Sequence, residues 1–155
     1  MDQGTHVIDL ANWFLSGAPN VVENVQSNNY WKADVEDNAF ILLKNKDKQL
    51  ASLHVSITQW KPTFVVEIFG TKGYLIASGL GKKYDDGEIL TIGYLNKSHK
   101  VSEKTKKYKV KPFDSIRREL NYFVDSVKKG KMKGPSGADG LKVLEIIEKA
   151  YKNHV

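Results

Sequence analysis

The tightest constraint in this sequence is a run of two-residue alternation at 50–59. Leu53, Val55 and Ile57 fall on one side of it, and Ser52, His54, Ser56 and Thr58 on the other. That period suits a half-buried strand and no helix. Phe40 to Lys44 precedes it across the polar turn Asn45-Lys46-Asp47-Lys48, which predicts a hairpin. Phe64 to Phe69 and Tyr74 to Ala77 repeat the arrangement around Gly70-Thr71-Lys72-Gly73, where glycine supplies the positive φ of a tight turn. This turn joins two strands, so it is no phosphate loop, which would lead into a helix. Val21 to Gln26 also alternates, with Val21, Glu23 and Val25 against Val22, Asn24 and Gln26. Glu88 to Tyr94 and Lys106 to Lys111 complete the strands, and Pro112 ends them.

Helical spacing brackets this block. After the strands, Ile116, Leu120, Phe123, Val124 and Val127 predict an amphipathic helix from about Asp114 to Lys129, stopped by Gly130. Ser136 followed by Asp139 has a capping-box layout and opens a last helix running to Tyr151. The expected fold is therefore α+β: a single domain over 1–155, with a largely antiparallel open sheet of about six strands and helices covering one face. The other face needs cover, which predicts a homo-oligomer formed through it.

The chain also begins on a helix. At ~100° per residue, Asp2, His6, Asp9 and Trp13 fall within roughly 60° of one another, opposite Val7, Ile8, Leu10, Ala11, Phe14 and Leu15. One imidazole between two carboxylates on a rigid element can position a proton-transfer group. Equally, Asp2 is an ordinary N-cap and Asp9 an ordinary solvated helix residue. Gly17-Ala18-Pro19-Asn20 supplies the stop. Tyr30 and Trp31 sit in a polar loop at 27–34, where they either stack on a sugar face or pack over the sheet edge; packing is the simpler reading. Gly79-Leu80-Gly81-Lys82-Lys83-Tyr84 reads as a flexible surface loop with two cations.

Composition removes several function classes. The sequence has no cysteine, which excludes disulfides, thiolate metal sites and a cysteine nucleophile. Its four histidines (His6, His54, His99, His154) lack metal-ligand spacing. The net charge of +6 comes from lysine clusters at 97–111 and 128–133 that are not interleaved with aromatics, which fits solvated faces better than a nucleic-acid surface. No run is apolar enough to span a bilayer and no secretory signal opens the chain, so a soluble cytoplasmic protein is expected.

Asp2-x-Gly4-x-His6-x-x-Asp9 followed by Leu10-Ala11-Asn12-Trp13 resembles the segment that opens the second domain of the Gfo/Idh/MocA family of nicotinamide-dependent oxidoreductases. Val35-Glu36-Asp37-Asn38-Ala39, Glu67-Ile68-Phe69-Gly70-Thr71-Lys72-Gly73 and Ser136-Gly137-Ala138-Asp139-Gly140-Leu141 follow in the family's order. The resemblance implies oxidation of a sugar or cyclitol hydroxyl with NAD or NADP in a complete family member. It makes His6 the base or acid, Asp2 the group that orients it, and Asp9 a neighbour of the substrate hydroxyls. It also implies that Thr58, Trp60 and Lys61, at the exit of the long strand, contact substrate. His54, farther back, reads as a structural histidine, and Trp13 as core packing at the helix edge.

The family's first half is missing from this sequence. There is no Gly-x-Gly-x-x-Gly opening a βαβ unit and no Glu-Lys-Pro segment. The expectation is a C-terminal fragment, a truncated product or a split-gene half, inactive alone and binding no dinucleotide by itself, with a separate dinucleotide-binding domain as partner. The alternative is a non-catalytic α+β module that self-associates through its sheet or pairs with such a domain.

Overall fold

The structure is a computed structural model that describes residues 2–15, 19–80, 87–96, 98, 105–110, 114–131 and 134–152, with only the backbone of Asp2. Its elements are α1 (Asp2–Phe14), β1 (Asn20–Ser27), β2 (Asn38–Lys44), β3 (Leu50–Ser56), β4 (Val65–Gly70), β5 (Gly73–Ser78), β6 (Ile89–Tyr94), β7 (Lys106–Lys109), α2 (Ser115–Lys129) and α3 (Gly137–Lys152). The α+β class holds. Seven strands form two antiparallel ladders, β1-β2-β3 and β4-β5-β6-β7, where one open sheet of about six was expected. The residues between β3 and β4 include Pro62, which has no N–H for a ladder. The chain divides into two compact units, 1–59 with 126–155, and 60–125.

In the first unit, β2 alternates cleanly, burying Ala39, Ile41 and Leu43. Ala51, Leu53 and Val55 of β3 lie opposite them and share that face. Ile8 and Ala11 of α1 and Val143 and Ile146 of α3 close over Ile41 and Leu43 to form the core. Helices thus cover one face of this sheet. The other carries Val25, Phe40, Leu42 and Leu50, all exposed. The β2–β3 turn is held by Asn45, whose side-chain oxygen accepts the Gln49 N–H at 2.9 Å.

Strand β1 departs from its sequence pattern. A bulge between Val21 and Glu23 leaves Val22 without a partner on β2. Val21 opposes Leu43 and Asn24 opposes Ile41, so Val21, Asn24 and Gln26 face the core while Glu23 and Val25 face away. The alternation that grouped Val21 with Glu23 and Val25 is thereby broken. Asn24 is fully buried, and its amide donates to the Ala150 carbonyl at 3.0 Å, serving an oxygen in the last turn of α3.

In the second unit, β4 and β5 form the expected hairpin through Thr71 and Lys72. Gly73 has φ +154°, and a Cβ there would lie 2.1 Å from the Gly93 carbonyl oxygen. The Tyr74 ring lies over Gly93 on the neighbouring strand, which leaves no room for a side chain at that position.

Helix α2 starts where the sequence placed it, with the Asp114 carboxylate accepting the Arg117 N–H at 2.9 Å, and ends at Gly130 with φ +60°. Its apolar stripe is not buried: Ile116, Leu120, Phe123 and Val127 are all exposed, and the buried residue on this helix is Ser126. The capping box of α3 forms. Asp139 accepts both the N–H and the hydroxyl of Ser136, at 2.9 and 2.8 Å, and Lys142 approaches to 3.2 Å. These bonds, those from Ser136 foremost, hold the Asp139 carboxyl down at about 2. The expected stop at Gly17-Ala18, the Lys82-Lys83 loop and Pro112 lie outside the described residues.

Candidate active site

Helix α1 positions the candidate residues because its two faces meet opposite demands. Gly4, Ile8 and Ala11 are buried and fix its rotation against β3 and α3. That rotation turns His6, Asp9 and Trp13 outward, and all three are exposed. The outward stripe read from the sequence is thus present for the described side chains; that of Asp2 lies outside them. Trp13 corrects its expected role. It is 77% exposed, so it does not pack in the core; its ring lies 4.9 Å from that of Phe14, which also points outward.

Beside the first turn of α1 lies a depression of about 130 Å³, lined by Gln3, by residues 35–39 and by residues 55–57. Val35, Ala39, Val55 and Ile57 supply its apolar wall, and Gln3, Glu36, Asp37, Asn38 and Ser56 its polar one. Gln3 stands one turn ahead of His6, so the depression opens near the end of the helix that carries the imidazole. Thr58 follows its far wall. There the Ser56 and Thr58 hydroxyls lie 2.8 Å apart, and Ser56 Oγ accepts the Thr58 N–H.

Trp60 and Lys61 begin the second unit. Both are exposed, Trp60 at 93%. His54 behaves as the structural histidine expected: it stacks on Phe40 with ring centroids 4.1 Å apart and planes 2° from parallel, and its Nε2 pairs with Asn38 Oδ1 at 2.9 Å.

Two carboxylates in the 35–39 stretch were legible as motif but not as function. Asp37 is 4% exposed, and its Oδ2 accepts the main-chain N–H groups of Tyr30 and Trp31 at 2.8 and 3.0 Å. Glu36 accepts the Tyr151 hydroxyl at 2.8 Å, joining this stretch to α3. Partial burial, and then the Glu36 carboxylate, push the Tyr151 phenol up to about 12.

Among the described residues, no cluster of histidine and carboxylates suits a metal ion. A dinucleotide needs a glycine-rich turn leading from a strand into a helix. The glycine turn present here, Gly70 to Gly73, joins β4 to β5, so the described residues do not fit that group. No helix among them is long and apolar enough to cross a membrane.

Comparison with known proteins places this geometry. Residues 1–76 match the family model described as the GFO/IDH/MocA C-terminal domain. No curated protein matches the sequence. Among solved structures, the UDP-N-acetylglucosamine 3-dehydrogenase GnnA from Acidithiobacillus ferrooxidans superposes with TM-score 0.83 at 18% identity, over 99% of this chain and 46% of that one. A variant of KijD10, a 3-ketoreductase from Actinomadura kijaniata solved with TDP-benzene and NADP, gives 0.78 at 16% identity, over 99% and 46%. An oxidoreductase from Agrobacterium radiobacter, solved with NAD+, L-tartaric acid and magnesium, gives 0.72 at 20%, over 97% and 45%. The chain thus spans less than half the length of each of these proteins while sharing their fold over nearly all of its own. The family model covers the helix that bears His6 and Asp9, β1 to β4, and β5 as far as Ile76, and over those residues the chain matches the C-terminal domain of the Gfo/Idh/MocA family.

Proposed function

We infer that the chain is the substrate-binding part of an NAD(P)-dependent oxidoreductase that acts on a sugar or cyclitol hydroxyl, and that it is inactive without a separate dinucleotide-binding domain. The observation that carries this reading is the exposure of His6 and Asp9 on one outward stripe of a helix whose opposite face is locked into the core. Oxidising a carbinol removes a hydride and a proton, and the residues of this chain bear on the proton. His6 takes it from the hydroxyl as a general base. Asp2, one turn earlier on α1, orients the ring. Asp9 holds neighbouring hydroxyls, and Thr58, Trp60 and Lys61 contact the rest of the substrate. The sugar class is supported by the neighbours, which include a UDP-N-acetylglucosamine dehydrogenase and a 3-ketoreductase. A soluble, cytoplasmic location goes with this reading.

We further propose that the open face of the β1–β3 sheet is covered by a second copy of the chain. Val25, Phe40, Leu42 and Leu50 are exposed there, with Glu23 opposite Leu42 and Lys44 opposite Leu50. Self-association is also what the alternative reading, a non-catalytic module, retains. The two readings separate on His6→Ala placed in a complete two-domain assembly. The oxidoreductase reading expects turnover to fall far more than KM rises, and unchanged turnover would leave only the module.

A further inference from the structure

The loop between β1 and β2 is braced from within. Beyond the two N–H groups held by the buried Asp37 carboxylate, Asp37 donates its own N–H to Ser27 at 2.9 Å and accepts that of Ile57 at 3.0 Å. The Asn28 side-chain amide closes the loop on the Ala33 carbonyl, and the Trp31 indole N–H donates to the Ile57 carbonyl at 3.2 Å. Both rings keep part of their surface in water. Tyr30 and Trp31 are each more than half exposed, with centroids 5.0 Å apart and planes at 76°. Trp31 leans on the end of β3 through its indole N–H, as packing over the sheet edge expects, and still leaves more than half of its surface exposed.

Two large aromatic surfaces kept in water on a braced backbone are preorganised, because little ordering entropy is left to lose on binding. Their position matters as much as their rigidity. Trp31 bonds to Ile57, and Ile57, Asp37 and Gln3 line the depression beside the first turn of α1. The aromatic pair therefore stands beside this depression, with the Ser56 and Thr58 hydroxyls close by in the chain. Since the indole N–H is already committed to Ile57, Trp31 offers its ring face rather than a donor.

Resting on the sugar reading above, we propose that the exposed ring face of Trp31, positioned by Asp37 and flanked by Tyr30 at a steep angle, is a stacking subsite for the C–H face of a pyranose ring. The apolar face of such a ring lies flat on an aromatic surface and leaves its equatorial hydroxyls at the rim, for Ser56 and Thr58 to meet. Asp37 touches no sugar; it acts by holding the backbone of the pair.

The test is saturation-transfer and indole-resolved NMR on the 155-residue chain, titrated separately with methyl β-D-glucopyranoside and with uridine 5′-diphosphate. The subsite expects transfer to the pyranose ring protons and a saturable shift of the Trp31 indole signal with the glycoside. Trp31→Ala should weaken binding about tenfold, the scale of one lost aromatic contact, while Trp31→Phe should keep most of it. Trp13→Ser, away from the loop, should change nothing. Asp37→Asn should weaken binding and speed exchange of the Trp31 indole proton while amides in β2 and α3 keep their protection, whereas a general loosening of the fold would speed exchange there too. No saturable glycoside binding, glycoside binding indifferent to Trp31→Ala, or a Trp31 shift with uridine diphosphate alone would each overturn the proposal. Binding is read here without turnover. Glycoside binding through Trp31 alongside a turnover-neutral His6→Ala would leave the subsite standing while the oxidoreductase reading falls.

Discussion

The side-chain amide of Asn24 donates to the main-chain oxygen of Ala150 at 3.0 Å, tying the middle of β1 to the last turn of α3 across 126 residues of sequence. The side chain's own acceptor, Asn24 Oδ1, has no hydrogen-bond partner among the described residues. Asn24→Leu strips the donor from a buried carbonyl that cannot itself be removed, and is expected to cost about 1–3 kcal/mol. Asn24→Asp should cost more, because it buries a carboxylate that repels the same oxygen. Urea unfolding midpoints of the two variants check both the size and the order.

The cap of α3 should be visible as a pH effect. The folded value of the Asp139 carboxyl is about 2, against an ordinary 3.8, so its contribution is complete above the unfolded value and fades as pH falls through about 2. An NMR titration should place its midpoint well below the ordinary 3.8. Ser136→Ala should raise it only part of the way, because the Ser136 main-chain N–H, the largest cause of the shift, is retained.

Tyr151 should report from the opposite end of the scale. Its folded value, about 12, lies above the usual 10, so this pair contributes stability below pH 10 that is lost as pH rises through 12. In an ultraviolet tyrosinate titration, Tyr151 should ionise later than an ordinary phenol, and Tyr151→Phe should remove that late component. Glu36→Gln should advance the transition but not normalise it, since burial is the larger cause.

The exposed stripe of α1 predicts a separation of stability from activity. Trp13→Ser and His6→Ala both alter outward side chains, and each should change the melting free energy by less than about 0.5 kcal/mol. In a complete two-domain assembly, only His6→Ala should depress kcat strongly. A large loss of stability in Trp13→Ser would restore the core-packing role that its exposure argues against.

Much of the architecture could be read from periodicity. The β2–β3 and β4–β5 hairpins, the three helices and the Ser136–Asp139 cap each follow from a local pattern, and each is formed by residues close in sequence. What escaped was set by partners far away. The face on which Asn24 lies depends on a bulge that no alternation announces, and the role of Asp37 depends on N–H groups six and seven residues earlier. The amphipathic pattern of α2 was real as a helix signal but said nothing of whether that face would be covered within this chain. At the candidate site, the stripe of His6, Asp9 and Trp13 was legible because a helix face is local geometry. The exposure of Trp13, which depends on how the whole helix packs, was not.

Val22 contributes no rung to the ladder, yet it decides which chemistry meets the end of α3. Without one supernumerary residue, a strand that kept Val21 inward would turn Glu23 in next and swing Asn24 toward solvent. A helix terminus, rich in lone pairs and carrying partial negative charge, would then confront a carboxylate instead of a carboxamide. The offset of a single residue thus exchanges repulsion for attraction at the seam between β1 and α3, while the His6-bearing helix packs on α3 and β3.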